Sequence, residues 1–188
     1  MSNDKHMHIL ADADTEPVQR IERKFFILPR NLGFARTLMN QVCRPDSQFP
    51  EGQVNSMYYD TIDLAQYMRS ADGDLRKHKV RIRWYNKIED YEGDIPIFVE
   101  LKMREGLAST KQRKRLLVPP RYLDRERLSS GIIDSMMLSH ILAAFGHFPD
   151  RPLRPVVLIS YWRHRLTEMM TGVRVSVDYD IRSTLIAR

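Results

Sequence analysis

From Lys79 to Tyr85 the chain reads Lys-Val-Arg-Ile-Arg-Trp-Tyr, with a cationic or phenolic residue at every second position. Successive side chains on a strand point to opposite faces. The run therefore predicts a strand with Lys79, Arg81, Arg83 and Tyr85 on one face and Val80, Ile82 and Trp84 on the other. Guanidiniums stacked along one face repel each other unless something anionic sits opposite. A chain that repeats this layout on several strands has to build a sheet with one apolar and one cationic side.

The layout does repeat. Alternating segments are predicted as strands at Ile21–Leu28, Val54–Asp60, Ile95–Arg104, Thr110–Val118, Val156–Arg165 and Val173–Asp178. Their wet faces hold Lys24, Arg81, Arg83, Glu100, Lys102, Lys111, Arg113, Arg115, Tyr161 and Arg163. Helices are expected at Asn31–Val42, in a short segment through Leu64, Tyr67 and Met68 capped by Thr61 or Asp63, and at Arg121–Ser129 and Ile133–Phe145. About seven strands joined by hairpin logic, with helices in the longer connections, make an α+β fold. Alternation of this kind usually marks a sheet with one solvated face. If the sheet instead curls closed with its helices outside, the cations line a lumen, where guanidinium forks grip phosphate oxygens.

At 188 residues the chain is most simply one domain, and 43% hydrophobic with 29% charged residues is ordinary for a globular protein. The net charge of +6 favours polyanions as partners: nucleic acid, nucleotides, inorganic phosphates or an acidic membrane surface. The single Cys43 excludes an intrachain disulfide framework and reads as a buried structural thiol. No segment is apolar enough to span a membrane. Met1–Glu16 carries acidic residues and no signal-type apolar run, so residues 1–18 are expected to be a tail of a cytoplasmic protein, and 19–188 its folded domain. Asp60 and Asp178 are expected to hold turns or pair with arginines. The Met136–Met137 helix stripe is expected in the core, and His140, His147 and His164 lack metal-site spacing.

The order of segments resembles the VTC domain, the polyphosphate polymerase branch of the triphosphate tunnel metalloenzymes. It is carried by Ile21-Glu22-Arg23-Lys24-Phe25, Val54-Asn55-Ser56-Met57-Tyr58-Tyr59-Asp60-Thr61, Lys79 to Tyr85, Phe98-Val99-Glu100-Leu101-Lys102, Ser109-Thr110-Lys111-Gln112-Arg113, Ser160-Tyr161-Trp162-Arg163 and Val173-Arg174-Val175-Ser176-Val177-Asp178. Each piece alone is weak; in this order they are specific. The resemblance implies an antiparallel β-barrel tunnel with helices packed outside, binding ATP, triphosphate or polyphosphate, with Mn²⁺ or Mg²⁺ as cofactor. It further implies transfer of a nucleotide γ-phosphoryl group to a polyphosphate chain. Carried over by position, Lys24, Arg81 and Arg83 take the catalytic places, and Lys24, Arg81, Arg83, Lys102, Lys111, Tyr161 and Arg163 bind phosphate. Family members continue past the strand matching Arg174–Asp178 into one bearing a Glu-x-Lys pair, whose glutamate looks like the principal metal ligand. The chain ends at Arg188 without a counterpart. The expectation is therefore a domain lacking the usual C-terminal segment, a tunnel one wall short, and an unknown metal ligand. Glu100 is the candidate, against the equal alternative that it neutralises an arginine across strands.

Other functions stand beside the polymerase: a polyphosphate or nucleotide binder without catalysis, and a triphosphate hydrolase of the same superfamily. An RNA-binding domain is a further alternative, motivated by the basic aromatic strand and set below the phosphate readings.

Overall fold

The computed structural model describes residues 8–9, 23–106, 108–124 and 126–186. Eight described strands form one antiparallel sheet: β1 (His8–Ile9), β2 (Cys43–Pro45), β3 (Glu51–Asp60), β4 (Arg76–Tyr85), β5 (Ile95–Glu105), β6 (Ala108–Val118), β7 (Arg154–Glu168) and β8 (Arg174–Leu185). Three α-helices accompany it: α1 (Leu32–Val42), α2 (Ala65–Ala71) and α3 (Ser135–Ala144). The spatial order is β1-β6-β5-β4-β3-β7, with β2 and β3 along one side of β7 and β8 along the other.

Registers fix the two faces. Met57 lies opposite Ile82 and Ile82 opposite Val99, while Val80 lies opposite Leu101, and Ile97 opposite Leu116. These residues and Trp84 form the buried core with Leu138, Ile141 and Leu142 of α3 and with Leu123, Leu128, Ile132 and Ile133 of the connection before it. Burying one such side chain contributes roughly 1.5–3 kcal/mol. Asp134 caps α3 by accepting a hydrogen bond from the Met137 amide. The helical layer thus covers the apolar face and leaves the other to the charged residues.

That other face is concave. Register shifts, one where β3 meets β7 at Tyr58/Tyr59 and one where β7 meets β8 between Ser160 and Trp162, add to the native twist and curl the sheet into a half-barrel. Arg83 and Glu100 lie on the uncovered face, yet are only 8% and 1% exposed. Neighbouring side chains of the same face close over them: Arg81, Lys111 and Arg113 on Glu100, and Ser56 on Arg83. Among the described residues, β8 pairs with β7 alone, so its outer edge is open.

Several elements differ from expectation. Ile21 and Glu22 lie outside the described residues, and Arg23–Leu28 joins no ladder. Phe25 and Phe26 there are 83% and 86% exposed. Alternation makes a strand only where a partner edge takes up the backbone hydrogen bonds. Of the expected tail, residues 1–7 and 10–18 lie outside the described residues, whereas His8 and Ile9 pair with Leu117 and Leu116. The described residues of 121–129 form no α-helix; two short 3₁₀ turns, Pro120–Tyr122 and Leu128–Ser130, take up its two ends. With Leu123 and Leu128 both buried, apolar anchoring has overridden helical spacing. Met136 is exposed and Met137 only partly buried. Cys43 is buried as expected, and desolvation pushes its thiol pKa up.

Asp60 settles into the capping role expected of its neighbours. Its Oδ1 accepts from the Thr61 and Gln66 amides and its Oδ2 from the Tyr67 amide, and Thr61 Oγ1 accepts from the Ala65 amide. The first turn of α2 is therefore tied to the end of β3. Asp63 instead pairs with Arg151 at 2.9 Å.

Candidate anion-binding site

The strand pairing arranges the concave face in rows. Lys79, Lys102 and Lys111 face one another across β4, β5 and β6. Tyr58, Arg81, Glu100 and Arg113 form the next row, and Ser56, Arg83, Phe98 and Arg115 the one after. Along β7, Tyr161 lies opposite Val54, Arg163 opposite both Gly52 and Asp178, and Arg165 opposite Ser176. Rows are two residues apart, about 6.6 Å along the strands. A cation or phenol therefore recurs at every step of a diagonal lane.

Glu100 organises the centre. Arg81 reaches its Oε2 at 2.7 Å, Lys111 its Oε1 at 2.6 Å, and Arg113 approaches Oε1 at 3.6 Å. Burial alone would raise the Glu100 pKa, but Arg81, Arg83 and Lys111 outweigh it and hold the carboxyl at about 2. Burial likewise opposes the Arg81 charge, while Glu100 and Tyr58 more than restore it and leave its pKa raised. Arg81 Nη1 also donates to the Tyr58 hydroxyl at 3.1 Å, and Arg83 Nε donates to Ser56 Oγ at 3.1 Å. The Arg113 guanidinium stacks 3.5 Å above the Phe98 ring. These contacts hold the guanidiniums in place before any ligand arrives.

On β7, Arg163 makes a two-pronged pair with Asp178, 2.7 Å on each prong. These hydrogen bonds raise its pKa, so the charge is permanent. Its guanidinium lies 5.2 Å from the Tyr161 ring centre. Burial pushes the Tyr161 pKa up, keeping the phenol protonated as a donor. Arg165 lies 5.8 Å from the Tyr85 ring and donates to the Phe49 carbonyl at 3.3 Å. Gly52 leaves room beside it: a Cβ there would lie 2.9 Å from Asn86 Oδ1 and 3.6 Å from Arg165 Nη1.

Of the residues singled out from sequence, Arg81, Arg83, Lys102, Lys111, Tyr161 and Arg163 all fall on this one face. Lys24 sits exposed on the Arg23–Leu28 segment, which belongs to no ladder, so no register aligns it with the rows. The same face holds Arg113 and Arg115, already read onto the wet side but not chosen as site residues, and adds Arg165, Tyr58 and Ser56. Arg165 was legible as a continuation of the alternation, two residues beyond Arg163. Tyr58 and Ser56 carried no charge signal and emerge only through the β3–β4 register.

The described residues do not form a protein-held metal site. Glu100 is committed to three cations and Asp178 to Arg163. Among the described residues no cluster of three or more His, Cys, Asp or Glu side chains is placed to hold a metal.

A curled antiparallel half-barrel with cations on its inner face and helices on its outer face is the architecture of an anion-binding tunnel protein. The chain belongs to the VTC domain family, whose pattern it matches over residues 19–186. Among solved structures it is similar to a protein from Hippeastrum, proposed as an adenylyl cyclase and described as having a dominant triphosphatase activity. The two share 11% sequence identity with a TM-score of 0.44, over 81% of this chain and 68% of that one. No curated protein matches the chain. Among the described residues, no helix is long and apolar enough to cross a membrane.

Proposed function

We propose that the concave face binds the phosphates of ATP, triphosphate or polyphosphate, and that the protein transfers a nucleotide γ-phosphoryl group to a polyphosphate chain. The observation that carries this reading is the row structure: cations from β4, β5, β6 and β7 converge on one face whose central carboxylates, Glu100 and Asp178, are already engaged by arginines. The surplus charge there is positive and preorganised. Phosphoryl transfer demands little covalent chemistry from a protein; it demands in-line positioning and neutralisation of charge on the transferred group. Arg81 and Arg83 sit centrally enough to supply that neutralisation, with Lys102, Lys111 and Arg163 gripping flanking phosphates and Tyr161 donating from its phenol. Lys24 belongs to this proposal by family position alone.

Tunnel metalloenzymes use a divalent metal, and Mn²⁺ or Mg²⁺ is the expected choice here. Glu100 and Asp178 are both paired with cations, so neither carboxylate is free to hold it. The test is synthesis of polymer from ATP with Mn²⁺ supplied, comparing the wild type with Arg81→Glu and Arg83→Glu. Polymer formation that disappears in both variants supports the assignment, and undiminished synthesis in either sinks it. Release of phosphate without polymer would mark a hydrolase instead.

A second reading, a phosphate-binding module without turnover, is favoured by the same engagement of the carboxylates, which leaves no free general base among the rows. It predicts salt-sensitive tripolyphosphate binding with neither polymer nor phosphate released. We further propose that the protein works in the cytoplasm.

A further inference from the structure

The cationic lane does not stop at Arg165. Thr167, the next residue of β7 on the concave face, lies opposite Arg44 of β2 on one side and Arg174 of β8 on the other. These three residues line one cleft of about 490 Å³, together with Ser47 and Asp46. The cleft lies four residues beyond Arg163 on the same strand, about 13 Å farther along. A triphosphate held among Arg81, Arg83 and Arg163 would not reach it.

We propose that this cleft is a second anion subsite, which takes the distal part of a linear polyphosphate and makes the protein select long chains over triphosphate. The proposal rests on the phosphate-binding reading of the central rows and extends it to substrate length. Among the described residues neither Arg44 nor Arg174 has a carboxylate within ion-pair distance. Asp46 also lines the cleft, and its Oδ1 accepts hydrogen bonds from the Gln48 and Phe49 amides at 3.0 and 2.9 Å. Two guanidiniums against one backbone-bound carboxylate leave the cleft net positive, with the hydroxyls of Thr167 and Ser47 as further donors. The register brings the two arginines together from β2 and β8 on either side of Thr167, and β7 joins them continuously to the central site.

The chemistry of the outer rows favours a bare phosphate chain over nucleic acid. Single-stranded RNA needs aromatic platforms between its phosphate contacts. Beyond Tyr161 the row residues on the concave face are Gly52, Arg163, Asp178, Arg165, Ser176, Thr167, Arg44 and Arg174, none of them aromatic, and the ring that Arg165 approaches, Tyr85, belongs to the row of Tyr161.

The experiment compares binding of tripolyphosphate, long-chain polyphosphate and single-stranded RNA to the wild type and to an Arg44→Ala/Arg174→Ala variant whose folding is checked by thermal melting. Each lost charge-assisted contact is substantial, so affinity for long-chain polyphosphate should fall about tenfold or more. Affinity for tripolyphosphate should change by less than twofold. Arg83→Ala should weaken both phosphate ligands. Equal losses for both ligands in the double variant, or no loss for either, overturn the subsite while leaving the central site standing. RNA bound as tightly as long-chain polyphosphate also overturns it. A wild type that binds neither phosphate ligand overturns the central reading and the subsite together.

Discussion

Arg81 lies directly opposite Glu100 in the β4–β5 ladder, and its guanidinium meets Glu100 Oε2 at 2.7 Å. Lys111 and Arg113 close on the other oxygen of the same carboxylate. One buried anion on β5 therefore sets the spacing of three cations on the two flanking strands, β4 and β6. Removing its charge with Glu100→Gln leaves those cations mutually repelling, at a cost of roughly 3–5 kcal/mol. A bound polyanion replaces the missing negative charge. Thermal melts should show a lower Tm for the variant, and a larger rise on adding tripolyphosphate than in the wild type. Equal rises would mean that the ligand does not contact this cluster.

The same carboxylate sets an acid limit. Its folded pKa of about 2 lies below the ordinary value of 4.5, so the folded state favours the ionised form. The resulting stability is fully present above about pH 4.5 and is lost as pH falls through about 2. A shift of this size is worth on the order of 3 kcal/mol. Denaturant titrations between pH 6 and pH 2.5 should show stability declining below pH 4.5, with a shallower decline in Glu100→Gln. An identical pH dependence in both proteins would remove Glu100 as the cause.

Much of this site was legible because β-strand alternation has a period of two, and a cation at every second residue survives small errors in strand ends. The run from Lys79 to Tyr85 placed Arg81 and Arg83 on one face without knowledge of any partner strand. Pairing was not legible. That Glu100 would serve Arg81, Lys111 and Arg113 at once depends on the register of two hairpins, and no local pattern encodes it. The Arg23–Leu28 segment failed for the opposite reason: its alternation resembles a strand's, but strand formation is decided by a partner edge elsewhere. Between Arg121 and Ser129, burial of Leu123 and Leu128 decided the conformation where spacing suggested a helix.

Arg163 is held by Asp178 through two hydrogen bonds from the neighbouring strand, with both side chains about a third exposed. A pair at that exposure is worth about 0.5–1 kcal/mol. Asp178→Asn should therefore cost little stability while removing the one carboxylate that competes with a phosphate for Arg163. Calorimetric titration should show tripolyphosphate binding strengthened severalfold, with a steeper dependence on salt. Weakened binding would instead mean that Asp178 positions Arg163 for the ligand, and that its orienting role outweighs its charge.

Tyr59 ties the helical layer to the sheet. Its hydroxyl accepts a hydrogen bond from the Ile132 amide at 3.2 Å, beside Gly131, which adopts a φ of +92° that side-chain-bearing residues rarely take. The ring is buried on the apolar face, and burial pushes its pKa up to about 12, so the phenol stays neutral throughout the working range. Tyr59→Phe preserves the packing but leaves the Ile132 amide without its partner in a dry core. An unsatisfied buried donor costs about 1–3 kcal/mol, which at this chain length lowers Tm by several degrees. Because the change lies on the far side of the sheet from Arg81 and Arg83, tripolyphosphate affinity measured below the melting range should stay within twofold. A large loss of affinity at unchanged Tm would show that the Gly131 turn communicates with the concave face.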